Sequence, residues 1–244
     1  MKENSENTHG NIPFCPAVVL GASPRGCGFA SAVSGALVLE PEIVAAPQWT
    51  LTFDPGRNWN AVEPETDWGR ELFDELRSRK ALRGAALDNA AFAPVFTLQI
   101  LARKLRVALD SRVLAVEGNV VRYVDGEGVH AVRAGRIVDT RPRFAKKKWF
   151  TALVRTPSPT AAGTYGPFEL VPRDPDLAAL LLPLAPDTGW TDARRTFREC
   201  WQNRPETLRD AAILLTAVRF AARAFADPVT ELEQGIREAQ DEKV

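Results

Sequence analysis

The feature that most constrains this chain is the run Ala17-Val18-Val19-Leu20-Gly21-Ala22-Ser23-Pro24-Arg25-Gly26, followed by a short Ala-rich stretch and then Ala36-Leu37-Val38-Leu39-Glu40. Each apolar run is short and bounded by turn-forming or polar residues, which reads as a buried strand. The connection between them meets the dozen or so residues that a parallel crossover requires, so the pair reads as adjacent parallel strands joined by a helix. That helix is confined to about residues 27–34. At ~1.5 Å per residue it spans roughly 12 Å, less than a typical strand of ~17–20 Å, and loops must supply the rest. Its start offers free backbone N–H groups and a partial positive charge, a setting that favours an anion.

The glycines sharpen this. In the pattern G-x-G-x-x-G the first glycine makes the tight turn, the second lets backbone approach a pyrophosphate, and the third lets helix and strand pack closely. Gly21 and Gly26 hold the first and third places, and Ser23 stands in the second. Glu40 follows Gly21 by 40 − 21 = 19 residues, where an acid takes the ribose hydroxyls of a dinucleotide. Ser23 lacks both a G-x-S-x-G setting and a histidine base, so it reads as a small residue in a phosphate loop and not as a nucleophile.

Further along, Pro94 can open a helix whose apolar face is Leu98, Leu101, Ala102 and Leu105. Strand-like runs follow at residues 112–116, 120–124 and 129–133, with turns at Gly118-Asn119 and at Asp125-Gly126-Glu127-Gly128, and residues 136–140 close the set. The order of glycine loop, acid, helix, three-stranded meander and a strand ending in Asp139-Thr140 resembles the FAD-dependent oxidoreductases with a glutathione-reductase-like FAD/NAD(P)-binding Rossmann fold. The resemblance covers residues 16–40 and 94–142, with a fainter echo from 164 to 210.

The resemblance implies an α/β fold, with a parallel sheet and a β-meander binding extended FAD, plus a second β-sheet and helix region. It also implies that Gly21, Ala22, Ser23, Pro24, Arg25 and Gly26 surround the diphosphate, that Glu40 meets the adenosine ribose, and that backbone near Ala115 and Val116 meets the adenine. Asp139 stands where the family carries D-A-T-G, yet the chain reads Asp139-Thr140-Arg141-Pro142. The last hundred residues contain no late G-D motif of the kind that closes over flavin.

Composition narrows the function classes. Lys+Arg and Asp+Glu both number 31, so no overall field draws nucleic acid or an anionic membrane. With 45% hydrophobic residues the chain can bury a sizeable core. Residues 1–11 lack an apolar signal region and no stretch approaches a membrane span, which points to a cytoplasmic protein; the resemblance implies a small-molecule substrate. Cys15, Cys27 and Cys200 have no metal or disulfide spacing and read as reduced thiols. With only His9 and His130, zinc sites and His-based triads lack the side chains they need. His130 reads as a structural residue of the meander.

The chain divides most naturally near Lys146-Lys147-Lys148, into an FAD-binding domain over 1–145, with an inserted segment at 41–92, and a substrate- or cap-like region over 146–244. The three lysines, with Arg141 and Arg143, read as a solvated connection. In the insert, Trp49, Trp59 and Trp68 suit either a pocket wall or pins that hold a long loop to the core, and a helix runs from residue 67 to 82. The second region carries strands at 149–155, 165–171 and 177–182. A helix then presents Trp190, Ala193, Phe197, Cys200 and Trp201 on one face, and another opens at Pro205.

Three functional readings follow: a flavin-dependent oxidoreductase with no nameable acid or base, a cofactor-free flavoprotein remnant serving as a binding or accessory protein, and a flavodoxin-like FMN reductase using Gly21–Gly26 as its phosphate loop. Glu40 and the meander argue against the third, because a flavodoxin-like chain continues with alternating strands and helices.

Overall fold

The computed structural model describes residues 12–144, 146–156 and 160–241; His9 lies outside them. In chain order the elements are β1 (Phe14–Leu20), α1 (Pro24–Ser31), β2 (Leu37–Leu39), the single turn α2 (Pro47–Thr50), α3 (Asp67–Ser78), the small hairpin β3 (Leu82–Arg83) and β4 (Ala86–Leu87), α4 (Asn89–Ala102), β5 (Arg106–Ala108), β6 (Arg112–Glu117), β7 (Val120–Asp125) and β8 (Gly128–Asp139). There follow β9 (Lys148–Arg155), β10 (Gly163–Tyr165), β11 (Phe168–Asp174), β12 (Leu177–Leu184), α5 (Trp190–Gln202), β13 (Ala212–Thr216) and α6 (Pro228–Asp241).

A six-stranded sheet has the order β5-β2-β1-β8-β7-β6, and a five-stranded antiparallel sheet has the order β10-β11-β12-β9-β13. As the two apolar runs require, β1 pairs with β2 in parallel, Val18 opposite Leu37 and Leu20 opposite Leu39. Both faces of these strands are covered, which is why they read as continuous apolar runs. Ala17, Val19 and Val38 enter the larger core beneath α1, α3, α4 and α6, while Val18, Leu20, Leu37 and Leu39 join Val121 and Val132 on the other face.

Several expectations are corrected. The crossover helix starts three residues earlier than expected, at Pro24, because Ser23 caps it: its Oγ accepts from Gly26 N at 3.0 Å, and Pro24 has the fixed φ that suits a first helical position. Helix α4 starts at Asn89 behind the Asp88 cap and carries Pro94 inside it. Its buried face is Phe92, Val95, Phe96, Gln99 and Ile100, leaving Leu98 and Leu101 exposed. This helix is apolar nearly all round, so periodicity could not choose a face; stacking of Phe96 on Trp68 did. Residues 112–133 do not lie apart from the parallel sheet, and residues 129–133 and 136–139 form one strand, β8. Its first half pairs antiparallel with β7 and its second half parallel with β1, with Arg133 shared.

In the second region the strands read at 149–155 and 177–182 form within β9 and β12, while the run read as one strand at 165–171 is broken by a turn after Tyr165 between β10 and β11. Helix α5 lies over the sheet through Ala193 and Phe197. No helix opens at Pro205: a short 3-10 turn, Glu206–Leu208, leads into edge strand β13. The last helix, α6, was not legible locally. It returns to the first sheet's side, where Val229, Leu232, Ile236 and Ala239 join the larger core, so the first layer is completed from beyond residue 146. Trp49, Trp59 and Trp68 are all buried in that core. The three cysteines are free. His130 holds Asp125 at 2.8 Å and stacks on Tyr123, a structural role. Among the described residues no helix is long and apolar enough to cross a membrane.

Candidate functional site

The strand order turns in opposite directions on the two sides of β1, with β2 on one side and β8 on the other. Ligands of open α/β sheets bind outside the carboxyl ends of strands at such a switch point. A cleft of about 280 Å3 lies there. Its walls are the start of α1 (Ser23, Arg25), the end of β8 and the residues after it (Asp139 to Arg143), Gln48, Trp49 and Asp54 of the insert, the returning segment 222–225, and Glu231 of α6. Gln48 fixes that segment, donating from its amide to Phe220 O at 3.1 Å and accepting from Ala222 N at 2.7 Å.

The glycine turn is built as its spacing demands. Gly21 has φ +100°, a conformation that side chains disfavour. A Cβ on Gly26 would overlap the Gly21 carbonyl oxygen and stand 2.6 Å from Thr140 Oγ1. Thr140 closes the turn from β8, its hydroxyl donating to Gly21 O at 2.8 Å. Asp139 is held by Arg141 in a two-bond fork, 2.9 Å on each arm, and the Arg141 guanidinium keeps its carboxyl below the usual carboxylate range.

Two donors of the loop are already committed. Ala22 N donates to Glu40 Oε2 at 2.7 Å, and the other Glu40 oxygen accepts from Glu42 N at 3.0 Å. Burial pushes the Glu40 carboxyl up. Glu40 thus serves the backbone with both oxygens, and the structure does not present it to the cleft as a ribose acceptor. Gly26 N is taken by Ser23, and Pro24 has no N–H. Trp49 Nε1 donates to the Glu231 carboxylate at 2.6 Å, and Glu231 borders the cleft together with Ser23 and Arg25 at the start of α1. Two of the four N–H groups in residues 22–26, those of Ala22 and Gly26, therefore have side-chain partners inside the protein.

Sequence reasoning missed Glu231, which stands 231 − 23 = 208 residues from Ser23. No local spacing carries such a signal. It also missed Arg223, whose guanidinium lies between Asp54 and Glu169, at 3.5 and 2.7 Å, and over the ring of Trp149. Ala115 and Val116 are not brought to the loop. Val116 is in register with Val121, and Val121 with Val132, whereas the loop follows Leu20 opposite Asp139. At ~3.3 Å per residue, the seven residues from Val132 to Asp139 separate them along the strand by roughly 23 Å.

Burial pushes the Glu231 carboxyl up to about 7, against the pull of its Trp49, Ser23 and Arg25 donors. An acid whose folded pKa exceeds its unfolded 4.5 binds protons more tightly when folded, so its contribution to stability is full below pH 4.5 and is lost as pH rises through 7. Asp54, Asp227 and Glu40, also raised by burial, act in the same direction. Urea unfolding should therefore show lower stability above neutrality than near pH 5, with Glu231 contributing on the order of 3 kcal/mol. Equal midpoints at the two pH values would contradict this account of Glu231.

No family model and no curated protein matches the chain. Solved structures do. The oxidation enzyme BexE matches with a TM-score of 0.58 at 15% identity over 92% of this chain and 60% of its own. The myxobacterial chondrochloren halogenase CndH, described as FAD-dependent, gives 0.57 at 15% identity over 93% and 73%. Glycine oxidase from Bacillus cereus gives 0.55 at 9% identity over 94% and 96%. The chain spans 52% of the length of CabE, an aromatic hydroxylase, and 60% of that of BexE.

FAD is the group that this fold implies. The loop does not fit its diphosphate, because the Glu231 carboxyl group borders the cleft beside Ser23 and Arg25 and the Ala22 and Gly26 donors are spent on Glu40 and Ser23. What the chain shares with these hydroxylases, halogenases and oxidases is the FAD-binding fold, a mixed α/β architecture with a second sheet packed beside it.

Proposed function

We propose that this chain is a cofactor-free relative of the FAD-dependent oxidoreductases, an accessory or binding protein that takes a small molecule in the cleft at the carboxyl ends of β1 and β8. The observation that carries this reading is the Glu231 carboxyl group, held by Trp49 Nε1 at 2.6 Å and bordering the cleft beside Ser23 and Arg25 at the start of α1. The cleft itself remains usable. Arg141 and Arg143 stand at its exposed side, and Trp49, Phe225, Ala222 and Ala224 supply apolar wall, the mixture that small-molecule sites combine.

A flavin-dependent oxidoreductase acting on a small substrate is the second reading, favoured by the fold likeness and by the intact Gly21 and Gly26 turn. In it the flavin would perform the redox chemistry, and the protein would orient it. The flavodoxin-like reading is not favoured: after β2 the chain runs into the Trp-rich insert and an antiparallel meander instead of alternating strands and helices.

The absorption spectrum of the purified protein separates the first two. No flavin bands, and no saturable change in FAD fluorescence on titration, are the expected results. Flavin that copurifies at near one per chain, or a saturable titration, would replace the first reading with the second.

A further inference from the structure

Glu231 is buried, 7% exposed, yet it borders the cleft. Trp49 Nε1 donates to it at 2.6 Å, and Ser23 and Arg25 at the start of α1 line the same cleft wall. Its position is not adjustable by a shift of the helix. A Cβ on Gly28 of α1 would overlap the Leu232 carbonyl of α6, and one on Gly235 would overlap the Arg25 carbonyl, so the two helices cross in backbone contact. Arg25 and Glu238 add an ion pair across the same crossing at 2.8 Å. The helix start and an anion are thus held together by the packing itself, and the anion belongs to the chain.

We propose that Glu231 is a built-in anion that occupies the diphosphate position at the start of α1 and so determines that the cleft takes a compact ligand and not a dinucleotide. The proposal rests on the cofactor-free reading of the cleft. Electrostatics supports the exclusion in both directions: the helix end favours one negative charge, and a second anion brought beside a buried carboxylate meets repulsion at low dielectric. Glu233, two residues on, provides the internal comparison. Its carboxylate accepts from Glu65 N at 2.6 Å and Thr66 N at 2.7 Å at the entry to α3, away from the cleft. Both glutamates are buried and hydrogen-bonded, and only Glu231 borders the cleft at the start of α1 where a ligand phosphate would lie.

The test is calorimetric titration of the folded protein with inorganic pyrophosphate and with ADP, at about pH 8, where Glu231 is charged. Wild type should give no saturable binding of either. Glu231→Ala should bind pyrophosphate saturably, at least about ten-fold more tightly than the weakest affinity the titration detects, Glu231→Gln should shift the same way, and Glu233→Ala should not. A folded Glu231→Ala that binds no better than wild type, or a Glu233→Ala that gains as much, would overturn the proposal while leaving the cofactor-free reading in place. Should Glu231→Ala not fold, the isosteric Glu231→Gln decides, and absence of any gain there overturns it. Wild type that binds FAD saturably would overturn both.

Discussion

Replacing Gly235 by Ala should destabilise this protein by about 3 kcal/mol or more. The added Cβ would overlap the Arg25 carbonyl oxygen and stand 2.8 Å from Phe29 N, both of them backbone atoms of α1 that no rotamer change can move aside. Relief requires α6 to withdraw, and withdrawal would expose Leu232 and Val229, part the Arg25 and Glu238 pair, and lift Glu231 off its donors. Urea unfolding followed by far-UV circular dichroism measures the loss. An unchanged midpoint would mean that the helices do not cross in backbone contact. Gly126, beside which a Cβ would meet nothing within 4 Å, is the control, and Gly126→Ala should leave stability nearly unchanged.

The second large effect belongs to the second region, where packing dominates. Phe197 of α5 sits at the centre of an aromatic group, its ring centroid 4.8 Å from Phe150 and 5.7 Å from Phe168, with Trp201 stacked at 6.5 Å. It is buried, and Phe197→Ala should cost about 3–5 kcal/mol, the usual range for loss of a packed aromatic. Trp201 and Trp190 are only half-buried on the same helix face, so Trp201→Ala should cost clearly less. Thermal melts of the two variants check the order. A larger loss for Trp201 than for Phe197 would place the centre of that core elsewhere.

The helix face of α5 was readable because charged residues alternate with apolar ones along it, Arg194, Arg195, Arg198 and Glu199 marking the outside. The face of α4 was not readable, because Leu98 and Leu101 are as apolar as Phe92 and Phe96 and only the partner surface distinguishes them. The same contrast runs through the candidate site. Gly21, Ser23 and Gly26 are local: one turns the chain, one caps the helix, and one permits close approach, and each does so within a few residues of its neighbours. Glu40 was found by its spacing, but spacing says nothing of which donor a carboxylate will meet, and Ala22 and Glu42 reached it first.

The parallel pair β1 and β2, the glycine turn between β1 and α1, the paired strands β9 and β12 and the apolar face of α5 were legible from local pattern. Each of these depends on periodicity or on backbone preferences that act over a few residues. Tertiary contacts set the rest: that β8 serves both the meander and the parallel sheet, that Ala115 and Val116 stand far from the loop, and that α6 returns across the chain to bring Glu231 beside the start of α1. Those outcomes depend on which surfaces meet, through the Gly28 and Gly235 crossing above all, and a contact spanning more than two hundred residues leaves no periodic trace in either segment that makes it.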